Sequence, residues 1–261
     1  NADCRRFLLH TIPSRGMLAD ALAQYLVKKT WTRWLLVAGA TPEDALYAEA
    51  VRHAAKRFGG NVVAERSWAA TFDARRTAQE EVPVLTQGER YDVLVVADEA
   101  GAFGDYLLYR TWDPRPVAGT QGLVAAGWLP TQEQWGALQL HSRFEKRADR
   151  LMTARDYAAW AAVRSVGEAA IRIRSADPAA IDAYIRSPEF ELAAFKGRKL
   201  SYRAWDGQMR QPIPLGWARA LVSMSPQEGF LHPATELDTL GTDAPETGCK
   251  VAATSPEPKQ R

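Results

Sequence analysis

Residues 33–39 read Arg-Trp-Leu-Leu-Val-Ala-Gly, and this short stretch decides the fold. It is apolar through its centre, it closes on a glycine, and helical patterns lie before it at 16–29 and after it at 43–58. A strand that is apolar on both sides must be covered on both faces, and the flanking helices are its natural cover. The stretch therefore predicts a central parallel strand of an α/β sheet.

The same unit repeats on both sides of this strand. Four more short apolar runs predict strands, at 6–10, 61–68, 91–97 and 116–119. A short helix near 75–81, limited by Pro83, completes a β-α-β-α-β-α-β-β order. Such an alternation predicts a parallel sheet with right-handed crossovers.

Beyond Gly119 the pattern becomes mostly helical. Amphipathic periodicity predicts helices at 132–147, 153–174 and 177–185, with Thr153 as the cap of the second. Asp206-Gly207 is a strong turn signal and predicts a hairpin between 200–205 and 210–215. A last strand is predicted at 220–224.

Composition excludes several functions. The 261 residues are 46% hydrophobic and carry a net charge of only +2, which gives no reason to expect nucleic acid as a partner. No apolar run approaches the roughly 20 residues that span a bilayer, so we expect no membrane insertion. Nucleotide-binding glycine loops, the G-x-S-x-G motif and paired metal-ligand spacings are absent. We therefore expect no enzyme, no cofactor and no metal.

Polar side chains cluster where the predicted strands end. In open α/β sheets ligands bind at the carboxyl ends of the strands. The candidate ligand-binding residues are Thr11, Ser14, Glu43, Asp98, Glu99 and Thr120. This rim either binds a small polar ligand or only caps the helices that follow the strands, and for the adjacent acids 98 and 99 capping is favoured.

Several segments together resemble a known family. They are His10-Thr11, Ala23-Gln24-Tyr25-Leu26, Arg57-Phe58-Gly59-Gly60, Asn61-Val62-Val63 and Asp156-Tyr157-Ala158-Ala159-Trp160. In this order they are similar to type I periplasmic binding proteins, the Leu/Ile/Val-type substrate-binding proteins of ABC transporters. Longer strings at 8–14, 109–119, 195–197 and 205–208 resemble a subfamily associated with PQQ-dependent alcohol dehydrogenase systems.

The resemblance implies a domain organisation. The expected fold is the type I periplasmic-binding-protein fold, α/β, with one parallel-sheet Rossmann-like lobe and a helical remainder of the other. Residues 11–122 would form the second α/β lobe and 123–211 a mostly helical part of the first. Residues 212–241 would form the return strand and hinge region, and 242–261 a disordered tail. The family has a first lobe before this point, and we expect that portion to be largely missing here.

The resemblance also implies a function. It indicates a periplasmic, non-enzymatic component that binds a small molecule between two lobes and delivers it to ABC transporter membrane subunits. The alternatives are a ligand-sensing domain that reports to a dehydrogenase or regulator, and a metal-ion binder. Two positions depart from the family pattern, because its usual aromatic falls near Glu43 and its amino-acid-binding acid near Thr120. Tight binding of an α-amino acid is therefore not expected.

The resemblance places both cysteines near the hinge. Cys4 precedes the first predicted strand, and Cys249 follows the last one after the chain has returned. In an oxidising periplasm this favours a Cys4–Cys249 disulfide. Two separate thiols are the alternative.

Overall fold

The computed structural model describes residues 5, 7–68, 78–217 and 219–249, which form two compact units. Unit one contains the chain up to Pro13, Gln134–Gln211 and the chain from Thr242 onward, while unit two contains Ser14–Glu133 and Pro212–Gly241. These boundaries differ from the predicted ranges. Thr11 lies in unit one, and residues 123–133 and 212–241 lie in unit two, while the hinge role of 212–241 stays a prediction.

Unit two is built on a seven-stranded sheet. Its strands are β1 Arg33–Ala38, β2 Asn61–Ser67, β3 Val93–Ala97, β4 Val117–Gly119, β5 Leu123–Ala125, β9 Ile213–Trp217 and β10 Ala220–Ser225. They lie in the order β10-β9-β5-β4-β3-β1-β2, where β1 to β5 pair in parallel and β9 and β10 add an antiparallel edge. The helices are α1 Arg15–Lys28, α2 Pro42–Phe58, α3 Ala78–Thr86 and α4 Gly104–Leu107.

Strand β1 is covered on both faces, as its sequence predicts. Trp34, Leu36 and Ala38 join a core that contains residues of α1 and α2. Leu35 and Val37 join a second core on the opposite face. The mixed α/β fold with a mostly parallel sheet is thus confirmed.

Unit one packs three helices with a small antiparallel sheet. The helices are α5 Ala137–Ala148, α6 Ala154–Ile173 and α7 Pro178–Ile185, and the strands are β6 Leu192–Ala193, β7 Lys199–Tyr202 and β8 Met209–Arg210. Thr153 and Asp156 form a capping box that begins α6, which confirms the predicted cap. Within the unit, the buried hydroxyl of Tyr157 donates to the Ala194 carbonyl at 2.8 Å.

The predicted first strand at 6–10 is wrong. Arg6 lies outside the described residues, and His10 makes only an isolated bridge to Gln208 in unit one. Phe7 has a left-handed φ of 67° and is 59% exposed, so it is neither in an extended strand conformation nor buried in a core.

Two other predicted elements are corrected. Ile213–Trp217 leaves the predicted hairpin and forms β9 in the unit-two sheet, where Ile213 and Leu215 are fully buried. Helix α3 continues through Pro83, because fully buried Val82 contributes packing that offsets the hydrogen bond a proline cannot make. Residues 75–77 of that predicted helix lie outside the described residues.

The predicted disordered tail begins at Thr242, but residues 242–249 are described. They include a short 3₁₀ helix at Ala244–Glu246 that starts with a capping box from Asp243. Residues 250–261 lie outside the described part of the chain.

Candidate functional site

The carboxyl ends of β1, β3 and β4 lie side by side in unit two. The N–H of Gly39 donates to the Ala97 carbonyl at 2.9 Å, and the N–H of Thr120 donates to the Val96 carbonyl at 3.0 Å. Five predicted site residues belong to this unit, and we call them the rim together with Arg15. They are Ser14, Glu43, Asp98, Glu99 and Thr120.

Asp98 holds the loop that follows β3. Its carboxylate is 1% exposed and accepts the N–H groups of Ala102, Phe103 and Gly104 at 2.9, 2.9 and 2.7 Å. Its own N–H donates to the Thr120 hydroxyl at 2.9 Å. A carboxylate that accepts three backbone N–H groups has a structural role. Asp98 therefore fixes the backbone of the loop that carries the rim.

Asp44, in the turn between β1 and α2, likewise accepts backbone N–H groups. It is not among the predicted site residues. It is 1% exposed, shares a capping box with Thr41, and accepts the Glu99 N–H at 2.7 Å. Burial alone would raise the pKa of Asp44, but hydrogen bonds from Thr41, Glu99 and Ala100 outweigh it and lower the pKa. The sequence signal is the Thr41-Pro42-Glu43-Asp44 string, which marks a helix start but does not reveal the contact with Glu99.

Gly39 lies against this buried acid. A Cβ atom at Gly39 would collide with the Asp44 carboxylate and touch the Phe103 ring. Steric crowding by an added methyl group in a well-packed site costs about 1–3 kcal/mol. Gly39 is therefore needed for the close approach of β1 to the first turn of α2.

We expect Gly39→Ala to lower the free energy of unfolding by about 1–3 kcal/mol, because the new methyl group must displace the Asp44 carboxylate. Urea denaturation monitored by circular dichroism measures the change. Gly167→Ala is the matched control, since a Cβ there meets no atom within 4 Å and lies inside helix α6. That control should be neutral or slightly stabilising, and equal losses in both variants would contradict the collision.

A charged pair lies on the solvent side of the rim. The Arg15 guanidinium, on the first residue of α1, donates to Glu99 at 2.6 to 3.0 Å from two nitrogens. The two side chains are 39% and 26% exposed. The hydrogen bond to Glu99 raises the pKa of Arg15, and the nearby charge of Glu43 adds to this. Sequence reasoning missed Arg15 because its partner lies 84 residues away.

The remaining hydroxyls of the rim are engaged in local structure. Ser14 accepts the Met17 N–H at 3.2 Å and so caps α1. The Thr120 hydroxyl contacts the Val96 carbonyl at 3.2 Å and the Gln121 side-chain oxygen. The rim thus has an inner layer of buried caps and an outer layer of accessible charges, which consists of Arg15, Glu43 and Glu99.

Thr11 is not brought together with the others. It belongs to unit one, where its carbonyl accepts the Gln211 side-chain amide at 2.8 Å. The Gln211 amide oxygen in turn accepts from the Lys196 Nζ at 2.6 Å. Lys196 is 1% exposed and lies 4.6 Å from the centroid of the Tyr157 ring. Burial lowers the pKa of Lys196 well below its usual value.

Three further features bear on function. Cys4 lies outside the described residues, so the Cys4–Cys249 disulfide stays a prediction, although Cys249 is not a free thiol. The described residues contain no group of three or more His, Cys, Asp or Glu side chains placed to hold a metal ion. Among those same residues, no helix combines the length and apolarity that crossing a membrane requires.

Solved structures share this fold. A periplasmic binding protein from Burkholderia mallei matches with a TM-score of 0.68 at 15% identity, over 96% of this chain and 70% of that one. A leucine-, isoleucine-, valine-, threonine- and alanine-binding protein from Brucella ovis matches with a TM-score of 0.68 at 12% identity, over 89% and 68%. An ABC transporter solute-binding protein from Rhodopseudomonas palustris, in complex with benzoate, matches with a TM-score of 0.61 at 12% identity, over 93% and 68%.

The chain has the type I periplasmic-binding-protein fold. It spans about two thirds of the length of the structures that it matches. No protein-family model and no curated protein sequence matches it. All three neighbours described above are named as binding proteins, and the one from Rhodopseudomonas palustris is named as the solute-binding protein of an ABC transporter.

Proposed function

We propose that this protein is the solute-binding component of an ABC transporter and that its rim binds a small polar ligand. The observation that carries the proposal is the accessible charge of Arg15, Glu43 and Glu99 above buried caps, in a fold whose solved examples are solute-binding proteins. A rigid base with accessible polar groups is what orients a small ligand in a binding site. The rim therefore offers a ligand charged partners that are held in fixed positions.

The charges of the rim suit a small carboxylate. Arg15 offers a planar guanidinium, which pairs with carboxylates through two hydrogen bonds. Glu43 and Glu99 can accept hydroxyl or amino groups of the same ligand. A ligand carboxylate would replace Glu99 as the partner of Arg15. The amino acids and benzoate named for the structural neighbours all carry a carboxylate, which supports this ligand class.

The strings at 8–14, 109–119, 195–197 and 205–208 support a finer proposal. On that basis we place the protein in the periplasm, in a system linked to PQQ-dependent alcohol oxidation, with ABC transporter membrane subunits as partners. Acids formed from alcohols are then the first ligands to test. A domain that senses the same ligand for a dehydrogenase would use the same rim, and ligand uptake in cells with and without the membrane subunits distinguishes the two roles.

Binding should depend on the outer charges of the rim. We expect Arg15→Gln to weaken binding of the best carboxylate about tenfold or more, a change of about 1.4 kcal/mol. Glu43→Gln removes a negative charge but keeps an acceptor oxygen, so it should leave the affinity for a carboxylate equal or higher. Stability should change by less than about 1 kcal/mol, because the side chains are partly exposed. A thermal-shift screen of alcohols, their acids, amino acids and metal ions on the full-length protein identifies the ligand, and calorimetry measures its affinity.

Glu49→Gln is the matched control for these variants, since Glu49 is exposed on α2 away from its first turn. It should leave the affinity unchanged. If Arg15→Gln leaves the affinity unchanged, as the Glu49→Gln control should, the rim is not the binding site. If a metal ion alone shifts the melting temperature, the metal-ion alternative replaces the proposal.

We expect leucine, isoleucine and valine to bind weakly or not at all. In the resemblance, the family's aromatic position falls near Glu43 and its amino-acid-binding acid near Thr120, whose hydroxyl accepts the Asp98 N–H. Titration calorimetry with each amino acid checks this. Submillimolar binding of any one of them would refute the prediction.

A further inference from the structure

Unit two has an apolar cavity at the amino ends of its parallel strands, opposite the rim. It encloses about 190 Å³. Trp31 precedes β1, and Pro116 and Val117 lie at the start of β4, whereas the rim follows the carboxyl ends of β1, β3 and β4. The cavity and the rim therefore lie at opposite ends of the same parallel strands.

The lining of the cavity is aromatic and aliphatic. Tyr25, Trp31 and Trp217 present three aromatic rings, and Leu123 and Val222 add aliphatic surface. Val222 is 41% exposed and so lies at the solvent side of the cavity. An apolar cavity of about 150 Å³ is already large enough to bind benzene. This cavity has room for one six-membered ring and one or two further carbon atoms.

Basic residues flank the lining of the cavity in sequence. The charged residues within two positions of a lining residue are Lys29, Arg33, Arg115 and Arg219, and the carboxylate of Asp92 accepts the N–H of Arg33 at 2.9 Å. The Arg33 guanidinium donates to the Arg90 carbonyl, whereas Lys29, Arg115 and Arg219 are exposed. The Lys29 ammonium lies 5.6 Å from the centroid of the Tyr25 ring, which is one of the rings that line the cavity.

From this combination we infer that the cavity binds a small aromatic carboxylate. Its ring packs between Tyr25, Trp31 and Trp217, because aromatic rings pack favourably against one another in offset or edge-to-face contacts. Its carboxylate faces the ammonium of Lys29. The inference goes beyond the proposed transport function, because it assigns a second site that is independent of the rim.

Fluorine NMR of 4-fluorophenylacetate with the full-length protein tests the inference. We expect binding with a dissociation constant of roughly millimolar, as is usual for a fragment of this size. Val222→Glu, which places an acid at the exposed side of the cavity, and Lys29→Glu should each weaken binding about tenfold or more. Val84→Glu is the matched control, because Val84 is 70% exposed and does not line the cavity.

Three comparisons decide the outcome. Arg15→Gln should leave the probe's affinity unchanged, and loss of binding in this variant would place the probe at the rim and overturn the inference. The cation 4-fluorobenzylamine should bind at least about tenfold more weakly than the carboxylate, and equal binding would overturn the charge argument. Equal probe affinities in wild type, Val222→Glu and Lys29→Glu would overturn the site itself. Loss of probe binding in the two variants, with their melting temperatures close to that of wild type, supports it.

Discussion

Replacing Asp98 with alanine is expected to lower the free energy of unfolding by about 3–5 kcal/mol. The substitution leaves the buried N–H groups of Phe103 and Gly104, and the partly buried N–H of Ala102, without their carboxylate acceptor. Hydrogen bonds to charged groups contribute about 1.5–3 kcal/mol each, and part of this loss is recovered when the loop relaxes. Urea denaturation measures the change.

The matched control for Asp98→Ala is Asp105→Ala, which removes the same charge from an exposed position on α4. It should change stability by less than about 0.5 kcal/mol. Asp98→Asn keeps one acceptor oxygen and should lie between the two. A loss of ligand affinity in Asp98→Ala at unchanged stability would instead assign the carboxylate to ligand binding.

Lys196 should make the stability of the protein depend on pH. Because burial lowers its pKa in the folded state, the unfolded chain binds a proton that the folded chain does not, between that lowered pKa and about 10.4. Stability therefore rises with pH through this window, by up to about 1.4 kcal/mol per pH unit, and is lost as the pH falls toward the folded pKa. In Lys196→Met, an apolar side chain of similar length, this component disappears.

Denaturation of wild type and Lys196→Met at several pH values between 7 and 10 measures this dependence. The difference in unfolding free energy should shift in favour of wild type as the pH rises. Lys199→Met is the control, because the Lys199 side chain is 70% exposed in the same unit. Its stability should follow wild type across the range. Parallel curves for Lys196→Met and wild type would show that the buried amine keeps its proton on folding.

Local patterns predicted the parallel part of the sheet well. Strands β1 and β3 are apolar on both faces and lie between amphipathic helices, so each sequence carries its own evidence of burial. Strand β5 is only three residues long and shows no period. Strand β9 contains Pro214 and Gly216. Of its two partners, β10 follows directly in sequence, but β5 lies far away, and a local pattern cannot reveal that pairing.

The candidate site was predictable in position but not in role. Strand ends marked the place where Glu43, Asp98, Glu99 and Thr120 meet. Whether a carboxylate points inward to cap a loop or outward to solvent depends on backbone geometry, which composition does not encode. Asp98 and Glu99 are neighbours in sequence, yet the first is 1% exposed and the second forms an ion pair with Arg15 on the accessible side.

The position of β9 has a consequence for the order of folding. β5 ends at Ala125, but its antiparallel neighbour begins only at Ile213, after all of residues 134–211. A folding intermediate that has formed β1 to β5 but has not yet docked β9 leaves the outer backbone of β5 open. An open strand edge pairs readily with other chains. Such an intermediate is therefore exposed to aggregation through β5 until the later segment arrives.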